Sequence, residues 1–189
     1  MQIILMRHGK PELDLESLKQ QKVSARQVGE IVASYEFSGL SSTATPTEAA
    51  STVADECSAA FSSDLKRATD SIQKLGIQAK TTYDHVFREP VLPYLDLGWP
   101  KFSFFTYCIL FRVLWFLGFS ANGESYNSAK WRARTCAKIL RKSAKEEGQV
   151  LLLGHGMMNR LIARQLRGRG WYNAQNGDDG YWSFTVFRK

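Results

Sequence analysis

Cysteine is scarce and carries no pattern. The 189 residues hold three, Cys57, Cys108 and Cys136. They lie far apart and form no Cys-x-x-Cys pair. An odd count without a framework excludes a disulfide scaffold and points to free thiols in a reducing compartment, so a cytoplasmic location is expected. The N-terminus lacks a long apolar run. Only Ile3, Ile4, Leu5 and Met6 precede Arg7, too short a stretch for the apolar region of a signal peptide. There is no basic tail and no zinc-finger spacing, so no nucleic-acid module is expected despite a formal charge of +7. The excess charge is spread along the chain, from Lys19 to Arg169, and favours an anionic ligand without choosing one. Internal repeats and low-complexity tracts are absent.

What is present suits one domain, residues 1–189, with a sizeable core and an insert at about 97–121. Residues 2–6 read as a buried strand. Val28, Ile31, Val32 and Tyr35 recur at helical spacing behind Ser24, a suitable cap. The Ser-, Thr- and Ala-rich stretch 38–57 reads as a loop leading to a small helix or strand. Residues 59–76 read as a strand end at Phe61, a Ser-Ser-Asp cap and a helix stopped by Gly76. Residues 90–100, with Pro90, Pro93, Gly98 and Pro100, are irregular. A long helix runs from about Ser125 to Glu147. Val150–Leu153 is a fully buried strand, a helix follows to Gly168, and residues 181–189 form a last strand. Alternating strands and helices predict an α/β three-layer sandwich. Its mostly parallel central sheet is flanked by helices, with an aromatic-rich helical insert near 100–120.

Two apolar strands end the same way, "IILMRHG" and "LLLGHG". Ligands of open α/β sheets sit at the carboxyl ends of strands. If these strands are neighbours, His8 and His155 share one pocket, with Arg7 beside them. Gly9 and Gly156 would let the backbone turn and a ligand approach. One such histidine is most simply a satisfied strand end. Two at equivalent ends argue for a site.

These residues resemble the histidine phosphatase superfamily, the phosphoglycerate-mutase-like proteins. Arg7, His8 and Gly9 match its Arg-His-Gly after the first strand. Ser63 to Ala68, "SDLKRA", matches its Ser-x-Leu-x-Arg-Ala. Glu89 in "FREPVLP" stands where the family has its acid. Gly123, Glu124 and Ser125 match the Gly-Glu-Ser before a long helix carrying Arg132, and His155-Gly156 matches the second His-Gly. The matches fall in family order over residues 2 to about 165. The resemblance implies a small phosphatase that hydrolyses a phosphomonoester, with His8 as nucleophile, Glu89 as general acid/base, and Arg7, Arg67 and His155 on the phosphate. It implies no cofactor and no metal, and a small phosphorylated substrate as the partner. Glu124 and Asp96 are rivals for the acid. A mutase-like phosphotransferase, a protein phosphohistidine phosphatase and a weakly catalytic phospho-ligand-binding regulatory module are rival functions. Lys10, Pro11 and Asp14 depart from the family pattern after Arg-His-Gly. Lys10 either adds charge at the pocket mouth or is a solvated loop lysine.

Residues 102–119, "FSFFTYCILFRVLWFLGF", hold 14 apolar residues in 18 and 8 of the 23 aromatics of the chain. The length suggests a membrane span, but Arg112 near the centre argues against one. The block is a cap over the catalytic face, a dimer or lipid-contacting surface, or an ordinary buried helix. Its place between Glu89 and the Gly-Glu-Ser helix favours the cap. Arg112, if it points inward, would meet a second anionic group on the substrate.

Overall fold

The computed structural model describes residues 1–189. Its centre is a six-stranded sheet in the order β4-β3-β6-β1-β8-β7. The strands are β1 (Gln2–Arg7), β3 (Ala59–Ser62), β4 (Lys80–Tyr83), β6 (Gln149–Gly154), β7 (Tyr172–Gln175) and β8 (Phe184–Arg188). β4, β3, β6 and β1 run parallel, and β8 is antiparallel to both neighbours. A small antiparallel ribbon joins β2 (Lys22–Val23) to β5 (Phe102–Ser103). The α/β class and the mostly parallel sheet are as expected.

Strand alternation makes two cores. Ile3, Leu5, Val150 and Leu152 face α5 (Tyr126–Glu147) and α6 (Gly156–Arg167). Ile4, Met6, Leu151 and Leu153 face α2 (Glu48–Asp55) and α3 (Lys66–Leu75). A strand covered on both faces can be apolar throughout. That is why "IIL" and "VLLL" are uninterrupted runs. β1 and β6 pair in register, Met6 opposite Leu153 and Arg7 opposite Gly154, so both His-Gly ends leave the sheet side by side.

A third cluster builds the insert. α1 (Ala25–Phe37) is capped by Ser24, with Gln27 returning a bond in a full capping box. It packs Val28 against Phe104, Tyr107 and Phe111 of α4 (Phe104–Phe116). Phe104, Tyr107, Phe111 and Trp115 are the buried stripe of α4. Its outer side exposes Ile109, Val113 and Leu117. α4 is therefore apolar on both sides but has only one buried side. No helix is long and apolar enough to cross a membrane.

Two local expectations need correction, and one strand is new. The Ser-Ser-Asp stretch is not a side-chain cap: α3 starts at Lys66 with Leu65 at the cap position and no capping side chain. Ser63 Oγ accepts from Leu65 N at 3.2 Å, and the Asp64 carboxylate is engaged by Arg88 at 2.5 and 2.7 Å. The last strand begins at Phe184, because Trp182 sits in the left-handed region at φ 62 and breaks the run. β7 was not expected, since "YNAQ" has no apolar alternation; it is an edge strand with mostly exposed residues. The undecided stretch before Cys57 is helical, capped by Thr47.

Candidate active site

The site forms where β1 and β6 end. His8 N donates to Gly154 O at 3.0 Å, which carries the ladder one step beyond the strand. The ring centroids of His8 and His155 are 5.0 Å apart, and both residues are buried. His8 Nδ1 lies 2.7 Å from its neighbour's carbonyl oxygen, Gly9 O. A carbonyl only accepts, so Nδ1 carries the proton and Nε2 keeps its lone pair. Burial, the Arg67 charge and the Arg7 charge pull the His8 pKa down to about 3, against the raising effect of the Gly9 bond. Burial first, then the charges of His8, Arg67 and Arg7, hold His155 well below the ordinary histidine value. Both imidazoles are therefore neutral at physiological pH, which is the form a nucleophilic nitrogen requires.

Two guanidinium groups bracket the histidines. Arg7 leaves the end of β1, donates to the carbonyl of Asp179, and stacks on the Tyr181 ring at 4.5 Å. Tyr181 also lies beside His8, with ring centroids 5.8 Å apart. Arg67, in the first turn of α3, is 2 % exposed. Its Nη1 donates to Tyr35 O at 2.9 Å and its plane covers the Tyr35 ring at 4.4 Å. Burial lowers its pKa, but an arginine keeps its charge at neutral pH. Arg7 Nε, Arg67 Nε and both ring nitrogens of His155 are buried without a hydrogen-bond partner in the protein. Buried polar atoms are nearly always satisfied, so this group of free positions marks a place for a polar ligand. All three residues are cationic or donor-capable, which selects an anion.

Glu89 reaches the site from the loop after a 3-10 turn, His85–Phe87. Its Oε1 and Oε2 accept from Met157 N at 2.9 Å and Met158 N at 3.0 Å, two free amides in the first turn of α6. These bonds satisfy orphan donors of the helix end and fix the carboxylate. Glu89 lines a cavity of about 230 Å³ together with Arg7, Arg67 and Tyr35. The rival acids lie elsewhere. Asp96 pairs with Arg26 at 2.5 Å on the surface. Glu124 pairs with Arg132 at 2.5 Å. Arg132 Nη1 in turn donates to Val86 O and Arg88 O at 2.8 and 2.7 Å. Glu124 and Arg132 thus hold the segment that presents Glu89.

The two glycines differ. A Cβ on Gly9 would lie 2.4 Å from the Trp182 ring and 2.7 Å from Leu40, so only glycine fits. A Cβ on Gly156 would meet only Arg7 Nε, at the ordinary contact distance of 3.9 Å. Close approach thus explains Gly9 but not Gly156, and it is a side chain that approaches Gly9. Lys10 pairs with Asp14 at 3.2 Å on the surface and adds nothing to the pocket. Sequence reasoning missed Tyr35, Tyr181, the Asp179 carbonyl and Ser71, whose Oγ accepts from Gly9 N at 3.0 Å. None carries a motif; each is placed by tertiary packing alone.

Known structures share this architecture. A mycobacterial hydrolase superposes with a TM-score of 0.65 at 21% identity, covering 98% of this chain and 87% of that one. The fold is the phosphoglycerate-mutase-like α/β fold. A mycobacterial glucosyl-3-phosphoglycerate phosphatase, solved as its VO3 complex, gives a TM-score of 0.63 at 22% identity over 98% of this chain and 90% of that one. Bacillus stearothermophilus YhfR gives 0.58 at 18% identity over 88% and 80%. No family model matches the sequence, and no curated protein does. The phosphoglycerate-mutase-like fold is thus shared while most side chains have changed.

Proposed function

We propose that this protein is a metal-independent phosphatase of the histidine phosphatase type, hydrolysing a phosphomonoester through a phosphohistidine on His8. The observation that carries this reading is the His8–Gly9 bond, 2.7 Å from Nδ1 to the carbonyl oxygen. It leaves Nε2 unprotonated beside two arginines.

In the first step His8 Nε2 forms a bond to phosphorus, and the bond from phosphorus to the leaving oxygen breaks. Glu89 gives that oxygen its proton. In the second step water attacks the phosphohistidine, the N–P bond breaks, and Glu89 takes the proton from water. Inorganic phosphate leaves and the free imidazole returns. Phosphoryl transfer depends mainly on positioning and on stabilising oxygen charge. Arg7 and Arg67 offer planar forks for the phosphoryl oxygens, and His155 offers a neutral N–H. Removing one comparable donor costs about 3–4 kcal/mol of barrier. Acid–base help from Glu89 is worth about 10²–10⁴-fold.

The phosphatase neighbours of the fold support hydrolysis over transfer. The test is release of inorganic phosphate from an aryl phosphate in the presence of a chelator, by the wild type and by His8→Ala. The reading requires turnover by the first and none by the second. Transfer of the phosphoryl group to an added alcohol without net hydrolysis would favour a mutase-like enzyme instead.

A further inference from the structure

Resting on the phosphatase reading, we propose that Arg112 forms a second anion subsite, so that the preferred substrate is a phosphomonoester carrying another anionic group across an apolar spacer.

Arg112 lies in the middle of α4 and lines the same cavity as Arg7, Arg67 and Glu89. Its Nη1 is buried and has no hydrogen-bond partner. None of the ion pairs of the molecule includes it. The Trp115 ring supports the guanidinium from one side at 4.8 Å. Glu89 attracts it, but both Glu89 oxygens are already held by backbone amides of α6. Burial lowers the Arg112 pKa, the mark of a desolvated cation. A buried guanidinium nitrogen with no partner costs free energy that an anionic ligand can return. Arg132, which clamps a loop, is held by a carboxylate and two carbonyls, whereas Arg112 Nη1 is held by neither.

The cavity wall beside Arg112 is apolar. Ile31, Val32, Leu92, Phe104 and Phe105 line it. The phosphoryl end is marked by Arg7 and Arg67. Such a lining suits a ligand with one oxyanion at Arg7 and Arg67, a second at Arg112, and an uncharged apolar part against these side chains, clear of Glu36 and Glu89. The second group is a carboxylate or another phosphate, since an arginine fork accepts both.

The experiment measures binding and turnover separately. Benzylphosphonate, 4-carboxybenzylphosphonate and 1,4-xylylenediphosphonate are titrated calorimetrically into the wild type, Arg112→Ala and the exposed-site control Ile109→Ser. One doubly charged probe binds about 10- to 100-fold tighter than benzylphosphonate to the wild type, as one charge-assisted pair supplies. That probe identifies the second group as carboxylate or phosphate. The advantage falls to about onefold in Arg112→Ala and persists in Ile109→Ser. Equal affinity for all three probes in the wild type overturns the proposal, as does an advantage undiminished in Arg112→Ala. Phosphate release from the matching aryl phosphates is read in parallel. Binding selectivity without any release would retain the subsite and reject the phosphatase reading.

Discussion

The imidazoles of His8 and His155 face each other at 5.0 Å between ring centroids, each at the end of a strand hydrogen-bonded to the other. Parallel pairing in register converts a repeated sequence feature, a strand followed by His-Gly, into one pocket. Both rings are buried and neutral, and two arginines share the space. Solvent is largely excluded, so the charges act at low effective dielectric.

Glu89 is held by two helix amides, so its loss separates by leaving group. With an alkyl phosphate, whose leaving oxygen needs a proton, Glu89→Gln lowers kcat by about 10²–10⁴-fold. With 2,4-dinitrophenyl phosphate the first turnover needs no acid. Dinitrophenolate then appears as a burst of one equivalent before slow hydrolysis. Rapid-quench kinetics checks both, and equal losses for the two substrates in the first, phosphorylation step would contradict the assignment.

Arg132 acts through the loop it clamps. Arg132→Ala frees the carbonyls of Val86 and Arg88 and leaves Glu124 without its cation. The expected result is a fall in kcat of about 10-fold or more with KM nearly unchanged, because the phosphate site is untouched. Lysine does not restore it, since the clamp uses the planar fork. A loss confined to KM would place Arg132 on the substrate instead.

Most of the site was legible because it lies at strand ends and helix starts. Arg7, His8 and His155 follow apolar runs directly. Arg67 sits in the first turn of α3, which the sequence marks despite its false cap. Glu89 was found by its place in the family order, but its bonds to Met157 and Met158 were not, because they join positions 68 and 69 residues apart. Tyr35 and Tyr181 were invisible for the same reason. Tyr35 reads as one more apolar position of α1, and Tyr181 as part of a strand that starts only at Phe184. The fold class was readable from alternation; β7 was not, as an exposed edge needs no apolar pattern.

Gly9 and Gly156 should part company in stability. Gly9→Ala drives a methyl group into Trp182 and Leu40, and overpacking of this kind costs about 1–3 kcal/mol. Gly156→Ala meets nothing closer than 3.9 Å and should leave the melting temperature nearly unchanged. Denaturant titration of both variants checks the contrast.

Stability should fall in acid through the histidines. The unfolded His8 titrates near 6.5 and the folded one at about 3. Between these values the unfolded chain binds the extra proton, so stability is complete above pH 6.5 and declines as pH drops toward 3. Each unit of separation is worth about 1.4 kcal/mol. His155 acts in the same direction. His8→Asn removes one contribution, so its stability profile between pH 6.5 and 4 should be flatter than that of the wild type. Parallel profiles would contradict a buried, neutral His8.

The central claim is that phosphate passes through His8. The direct measurement is to quench the enzyme with denaturant during turnover of a phosphorus-labelled aryl phosphate and map the label by mass spectrometry. The account predicts an acid-labile, base-stable phosphoryl group on His8, and neither label nor phosphate release in His8→Ala. Undiminished hydrolysis by His8→Ala, or label on any other residue, would contradict it.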